Sequence, residues 1–155
     1  MALEVETYTT GMVARMAKVK ANTVIQWDLD GLAKPTTAVP EFHTRKYTMM
    51  DMVAVSMVPQ LLQIGLSREY VSQITAAVSR NDSAELKRSA IVAVIDPETN
   101  FPIVAFVPNA DTDDVKNDPR VKEIQTLKEI VDGILKFVRA GVALGLHKPN
   151  PPEAV

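Results

Sequence analysis

Apolar residues along this chain follow two different periods, and the change of period divides it. In the first part they recur every three or four positions, the spacing of a helix face turned toward a core. Thr10 to Ala17 reads as a short helix whose Val13, Ala14 and Ala17 are small or branched enough to pack closely against a neighbour. The stretch from Val19 to Leu32 is a second helix, with Asn22 and Thr23 suited to its first turn, Val24, Trp27 and Leu32 on one face, and Gly31 ending it. Trp27 is thereby assigned to the core. Two short helices with a tight turn between them are the layout of a helix-turn-helix. Ala33 to Lys46, with Pro35, Pro40 and several threonines, suits a β-ribbon or an irregular wing better than a helix. Thr48-Met49-Met50-Asp51 has the form of a capping box opening a third helix, Met49 to Ile64, in which Pro59 removes a backbone donor and predicts a kink near Val55 to Pro59. Gly65 ends that helix. Ser67 caps a fourth, Arg68 to Val78, with Val71, Ile74 and Val78 on one face.

Asn81-Asp82-Ser83 reads as a hinge, and beyond it the pattern turns to β-type. The runs Ala90 to Ile95 and Phe101 to Val107, separated by Asp96-Pro97-Glu98-Thr99-Asn100, form a hairpin signal. Both runs are apolar almost throughout, which predicts cover on both faces, by the last helix and by a second subunit. Asp111 to Asp118 is an acidic loop. Asp118-Pro119 then suits the start of the longest helical pattern, Arg120 to about Leu144. Ile124, Leu127, Val131, Ile134 and Val138 recur there at intervals of three and four, and Ile130, Phe137 and Ala140 widen the apolar face. Together with the hairpin this is more apolar surface than one small lobe buries, so the five-residue stripe is predicted to be the seam of a homodimer. The tail, residues 148–155, is rich in proline and expected to be flexible.

Composition narrows the reading. The 155 residues are 46% hydrophobic and 23% charged, which fits a soluble globular chain, and no apolar run approaches the ~18 residues that span a bilayer. The acidic start around Glu4 and Glu6 is unlike a secretory leader, so the expected location is the cytoplasm, with no membrane partner. The absence of cysteine excludes disulfides, thiolate metal sites and cysteine nucleophiles. Net charge is -2, so any footprint for nucleic acid must be local. Residues 1–80 hold eight Lys or Arg against seven acids, and the remainder nine against twelve, an asymmetry of the expected sign but small.

Within the helix-turn-helix, Lys18, Lys20, Asn22 and Thr23 stand at the start of the second helix, where side chains and free backbone N–H groups suit phosphate oxygens, and Gln26 follows one turn later with an amide suited to adenine. His43, Arg45 and Lys46 cluster at the end of the wing segment as further phosphate contacts. The acidic loop lacks the glycine and terminal glutamate of a calcium loop, and His43 and His147 are isolated, so no metal, cofactor or catalytic residue is expected.

The order Tyr8-Thr9-Thr10-Gly11-Met12-Val13-Ala14, Thr23-Val24-Ile25-Gln26-Trp27-Asp28, Gly31-Leu32 and then Arg45-Lys46-Tyr47-Thr48-Met49-Met50-Asp51-Met52 resembles the MerR family of winged-helix regulators. The last segment is similar to that family's Arg-x-Tyr-x-x-x-Asp-Leu step from wing to third helix, and Gly65 falls where the following helix pair turns. The sequence departs from the family at Ile25, where an Arg usually meets the DNA backbone, and at Thr36 and Thr37, where the wing usually carries Arg. The resemblance covers roughly residues 7–75, and together with the β-type pattern and long helix that follow it implies an α+β, mainly helical fold. Residues 7–80 would be a winged helix-turn-helix DNA-binding domain, and residues 84–147 a β-hairpin plus long helix for dimerisation, with room for a small-molecule or protein effector. The implied function is a non-enzymatic transcriptional regulator that binds two-fold related double-stranded DNA as a homodimer. An architectural or segregation-type DNA protein, or a protein-interaction module that has kept the fold without DNA affinity, are the alternatives.

Overall fold

The computed structural model describes residues 7–36 and 45–143. Along them run α1 (Thr10–Ala17), α2 (Ala21–Leu29), α3 (Met49–Gln63), α4 (Arg68–Arg80), α5 (Ser83–Arg88), β1 (Ala90–Ile95), β2 (Pro102–Val107), α6 (Asp113–Lys116), β3 (Val121–Thr126) and α7 (Leu127–Ala143). The fold is α+β and mainly helical, a helix-turn-helix lobe followed by a hairpin and a long helix, with one strand more than the pattern predicts.

Local chemistry sets most boundaries. The Thr9 hydroxyl accepts from the Met12 N–H at 3.2 Å and starts α1, which stops at Lys18 in the left-handed conformation, φ 59°. At α3 the Thr48 hydroxyl accepts from the Asp51 N–H at 3.1 Å while the Asp51 carboxylate accepts from the Thr48 N–H at 3.0 Å, a full capping box worth about 1 kcal/mol. α3 continues past Pro59 to Gln63, with the Ser56 hydroxyl donating to the Met52 carbonyl at 2.8 Å. Ser67 caps α4 as its position predicts.

The expected hinge is instead a corner between two helices. Asn81 ends α4 with φ 53°, and the next residue, Asp82, accepts from the N–H groups of Ala84 and Glu85 to begin α5. Arg80 and Glu85 form an ion pair across the corner, which raises the Arg80 pKa through its hydrogen bond to the carboxylate.

The helix expected from Arg120 onward begins only at Leu127, because residues 121–126 are drawn into the sheet as β3. β1 is the central strand, antiparallel to β2 on one side and β3 on the other. Asp118 and Arg120 brace the turn before β3 with an exposed ion pair at 2.7 Å, and the guanidinium holds the Asp118 carboxyl at about 2. The face carrying Ile91, Val104 and Phe106 packs on the helical core, where Phe106 meets Tyr70 of α4 edge-on with ring centroids 6.5 Å apart. The opposite face is covered only in part by this chain, with Ala90 and Val92 buried. Near the hairpin tip Ile103 is 52% exposed and Phe101 71% exposed, since no helix reaches them.

α7 packs on α3, α4 and α5 and closes a single cluster of buried residues that runs from Tyr8 to Val138. This corrects the proposed seam. Leu127, Val131 and Val138 are buried inside their own chain, so the stripe they form faces the first lobe and not a second copy. Ile124 is half-buried on β3, Ile134 is half-buried on α7 against the same core, and Phe137 on the next turn is 59% exposed.

Candidate nucleic-acid interface

α1 and α2 meet through Val13, Ala14 and Met16 on one side and Val24 and Trp27 on the other, all buried, which fixes the angle at which α2 leaves the body. The turn between them is closed by the Val19 N–H donating to the Ala14 carbonyl at 3.0 Å. α2 has Lys20 at its N-cap and no side chain bonded to its first N–H groups, so that end can accept an anion. At its other end Gly31, φ 77°, lets the chain reverse, and the N–H groups of Leu32 and Ala33 donate to the Trp27 carbonyl at 2.8 and 3.2 Å.

The outer side of this motif carries Lys18 and Lys20 at the turn and Asn22 and Gln26 on successive turns of α2, all exposed. Thr23 and Ile25 are half-buried flanks. Leu29, 65% exposed, continues the same row beyond Gln26 and was missed by the sequence reading, although its spacing from Asn22 and Gln26 was visible. The structure therefore gathers five of the eight predicted contacts at α2 and the turn before it. His43 and Thr37 lie outside the described residues.

Arg45 and Lys46 diverge. Lys46 is exposed and, among the described residues, makes no ion pair. Arg45 turns inward instead, its Nε 2.6 Å from an Asp28 carboxylate oxygen on α2, with side chains only 19% and 18% exposed. A cation held in that way is a cross-link and is poorly placed to grip phosphate. Lys34 adds a second bond to the same residue, Nζ to the Asp28 carbonyl at 2.9 Å. Asp30 acts similarly, taking the Gln26 amide nitrogen at 2.8 Å on one oxygen and the Arg68 guanidinium of α4 at 3.2 Å on the other.

The Arg-x-Tyr-x-x-x-Asp step is thus a clasp. Arg45 grips α2. Tyr47 pairs with Tyr8 through two backbone hydrogen bonds of 2.7 and 2.9 Å, joining the segment just before α3 to the entry of α1. Burial, with the nearby charge of Asp28, pushes the Tyr47 phenol up to about 12. Asp51, itself buried, accepts from both the backbone N–H and the hydroxyl of Thr36, at 3.1 and 2.9 Å, besides its capping role. Thr36 therefore has a structural partner where a family arginine would stand.

Residues 8–78 match the model of the MerR HTH family regulatory protein. The N-terminal lobe is a MerR-type helix-turn-helix domain. The matched span holds every element from the Tyr8–Tyr47 pair to the end of the Val71, Ile74, Val78 face, and it leaves the sheet and α7 outside. No curated protein matches the chain. A MerR-type domain supports a DNA-binding transcription regulator, and the exposed cations and amides of α2 are the groups such a role requires. No described helix is long and apolar enough to cross a membrane.

Proposed function

We propose that the protein is a transcriptional regulator that lays α2 of its MerR-type lobe in the major groove and binds a two-fold related site as a homodimer. The observation that carries the DNA reading is the exposed row Lys18, Lys20, Asn22 and Gln26 leading from a helix N-terminus that no side chain caps. Among the described residues of this lobe, Arg15, Lys18, Lys20 and Lys46 are exposed and form no ion pair, whereas Arg45, Lys34 and Arg68 are engaged by acids. So few free charges make one lobe a weak binder, and two lobes at fixed spacing supply the affinity that one lacks.

The homodimer is supported by the exposed flank of α7, where Phe137, 59% exposed, stands beside Gly133 and Ala140, small residues that admit a second helix. The test is binding of the full chain to random and selected duplexes across a salt series, with mass in solution measured by light scattering. The reading expects a dimer whose affinity falls with salt at a slope of roughly -0.9 per phosphate contact. A monomer without affinity for any duplex at low salt overturns it. That outcome favours the second reading, a protein-interaction module, which draws on the neutralisation of three cations of this lobe by Asp28 and Asp30.

A further inference from the structure

α2 ends in a way that helix energetics disfavours. Asp28 and Asp30 stand at its C-terminal end, where the helix dipole is negative, and no basic residue occupies its last turn. Asp28 is explained by Arg45 and Lys34. Asp30 is the C-cap of α2 through its backbone N–H alone, which needs no carboxylate, and a carboxylate beside a surface that meets phosphates repels them. Its two oxygens are nevertheless both engaged, one by Gln26 and one by Arg68.

We propose that Asp30 is a specificity-determining positioning residue. By holding the Gln26 amide in one of its two orientations it makes α2 prefer adenine over guanine, with Leu29 reading a neighbouring thymine methyl. This rests on α2 being the groove helix. A free glutamine amide can turn over and exchange its oxygen and nitrogen. A carboxylate only accepts hydrogen bonds, so an amide held by Asp30 must present its nitrogen to it. The amide oxygen then faces away, and the nitrogen keeps one hydrogen. That pair, an acceptor beside a donor, matches the N6 amino group and N7 of adenine. Guanine offers two acceptors, O6 and N7, and would set O6 against the amide oxygen.

The clamp has a rigid backing. Arg68 reaches Asp30 from α4, and α4 is bonded to the segment just after α2 by the Ser72 hydroxyl on the Gly31 carbonyl at 2.8 Å and the Thr75 hydroxyl on the Leu32 carbonyl at 2.7 Å. Leu29 stands beside Gln26 on the exposed side of α2, and the only apolar group on the floor of the major groove is the thymine methyl.

The experiment selects duplexes from a randomised pool with the full-length protein, then measures affinities of the wild type and of Gln26→Ala, Asp30→Asn, Arg68→Ala and Leu29→Ala on the selected site. Asparagine keeps the size of Asp30 but can donate as well as accept, so it releases the orientation without removing a side chain. The wild type is expected to require adenine at one position, with guanine there weakening binding about tenfold. Asp30→Asn should lose that discrimination at this position alone, and should have no further effect on it in the Gln26→Ala background. Arg68→Ala should loosen it less. Replacing thymidine by deoxyuridine next to that position should weaken the wild type and leave Leu29→Ala unchanged. A wild type that prefers guanine there, or an Asp30→Asn protein that keeps the full adenine preference, overturns the proposal while the DNA reading stands. A wild type that binds all duplexes alike, or none, removes the groove-helix reading itself.

Discussion

α2 and α7 are both amphipathic helices that bury one side in the same core, and they differ in what they leave outside. α2 sets Val24 and Trp27 inward and presents the amides of Asn22 and Gln26, with Lys18 and Lys20 just before it and Leu29 at its end, a mostly polar row that stays hydrated until a nucleic acid replaces the water. α7 sets Leu127, Val131 and Val138 inward and presents Phe137, Gly133 and Ala140, groups that water solvates poorly. Amphipathicity alone predicts only that a helix lies on a surface. The chemistry of the outer side decides which class of partner it suits, and apolar residues on the inner side say nothing about a partner at all.

Five substitutions test that contrast. The largest effect is expected from Val131→Asp, which places a carboxylate in the core of the single chain with no counter-charge and costs roughly 3–5 kcal/mol. Circular dichroism should show loss of most helix, and a cooperatively folded variant would mean that α7 does not close the core. Phe137→Lys comes next, on the exposed flank of the same helix. It should leave the fold intact, turn the dimer into a monomer by light scattering, and weaken binding to a two-half-site duplex by about a hundredfold while a single half-site is bound as before. A dimer that survives would move the seam away from α7.

The third test compares neighbours. Arg45→Ala should lower stability by about 1–3 kcal/mol, because it takes the nearest counter-charge from the half-buried Asp28 of α2 and leaves it only Lys34 at 3.5 Å, and should change the salt slope little. Lys46→Ala should do the reverse, leaving the melt unchanged and reducing the slope by about one unit. The same slope change in both would return Arg45 to the phosphate contacts. The smallest effect belongs to Asp132→Asn on α7. Its pair with Lys128, 2.6 Å across one helical turn, is solvent-exposed, so urea denaturation should show a loss of no more than about 0.5 kcal/mol. A larger loss would mean that α7 has a polar partner on that flank.

The helix-turn-helix was legible because its boundaries are written in single residues. Thr9, Ser67 and the Thr48–Asp51 pair each cap a helix, and Gly31 turns the chain where only glycine does so freely. β3 was hidden for an opposite reason. The bulge between Ala93 and Val94 of β1 pairs Glu123 with Ala93 and Val121 with Val94, leaving Lys122 unmatched. That extra residue puts Val121 and Ile124 three apart, and Ile124, Leu127 and Val131 then continue a helical spacing straight across the boundary. A signal for the true start was present in Thr126-Leu127-Lys128-Glu129. The Thr126 hydroxyl accepts from the Glu129 N–H at 3.2 Å, and the Glu129 carboxylate from the Thr126 N–H at 3.3 Å, a second capping box. At the interface, Lys18, Lys20, Asn22 and Gln26 could be placed from spacing. The inward turn of Arg45 could not, since its partner Asp28 lies 17 residues away and nothing local announces it.

The buried cluster passes from Tyr8 to Val138 without separating into two. A reading head of this kind is not a cassette. Cutting the chain after Arg80 would strip Leu127 and Val131 from α3 and leave part of the head's own interior facing water, so grafting residues 8–78 onto a foreign C-terminal part would require a new lid shaped like the inner side of α7. Variation has the same restriction. A lineage exploring new partners can rewrite the outer row around Phe137 freely, but every change on the inner row is tested first against the integrity of the head.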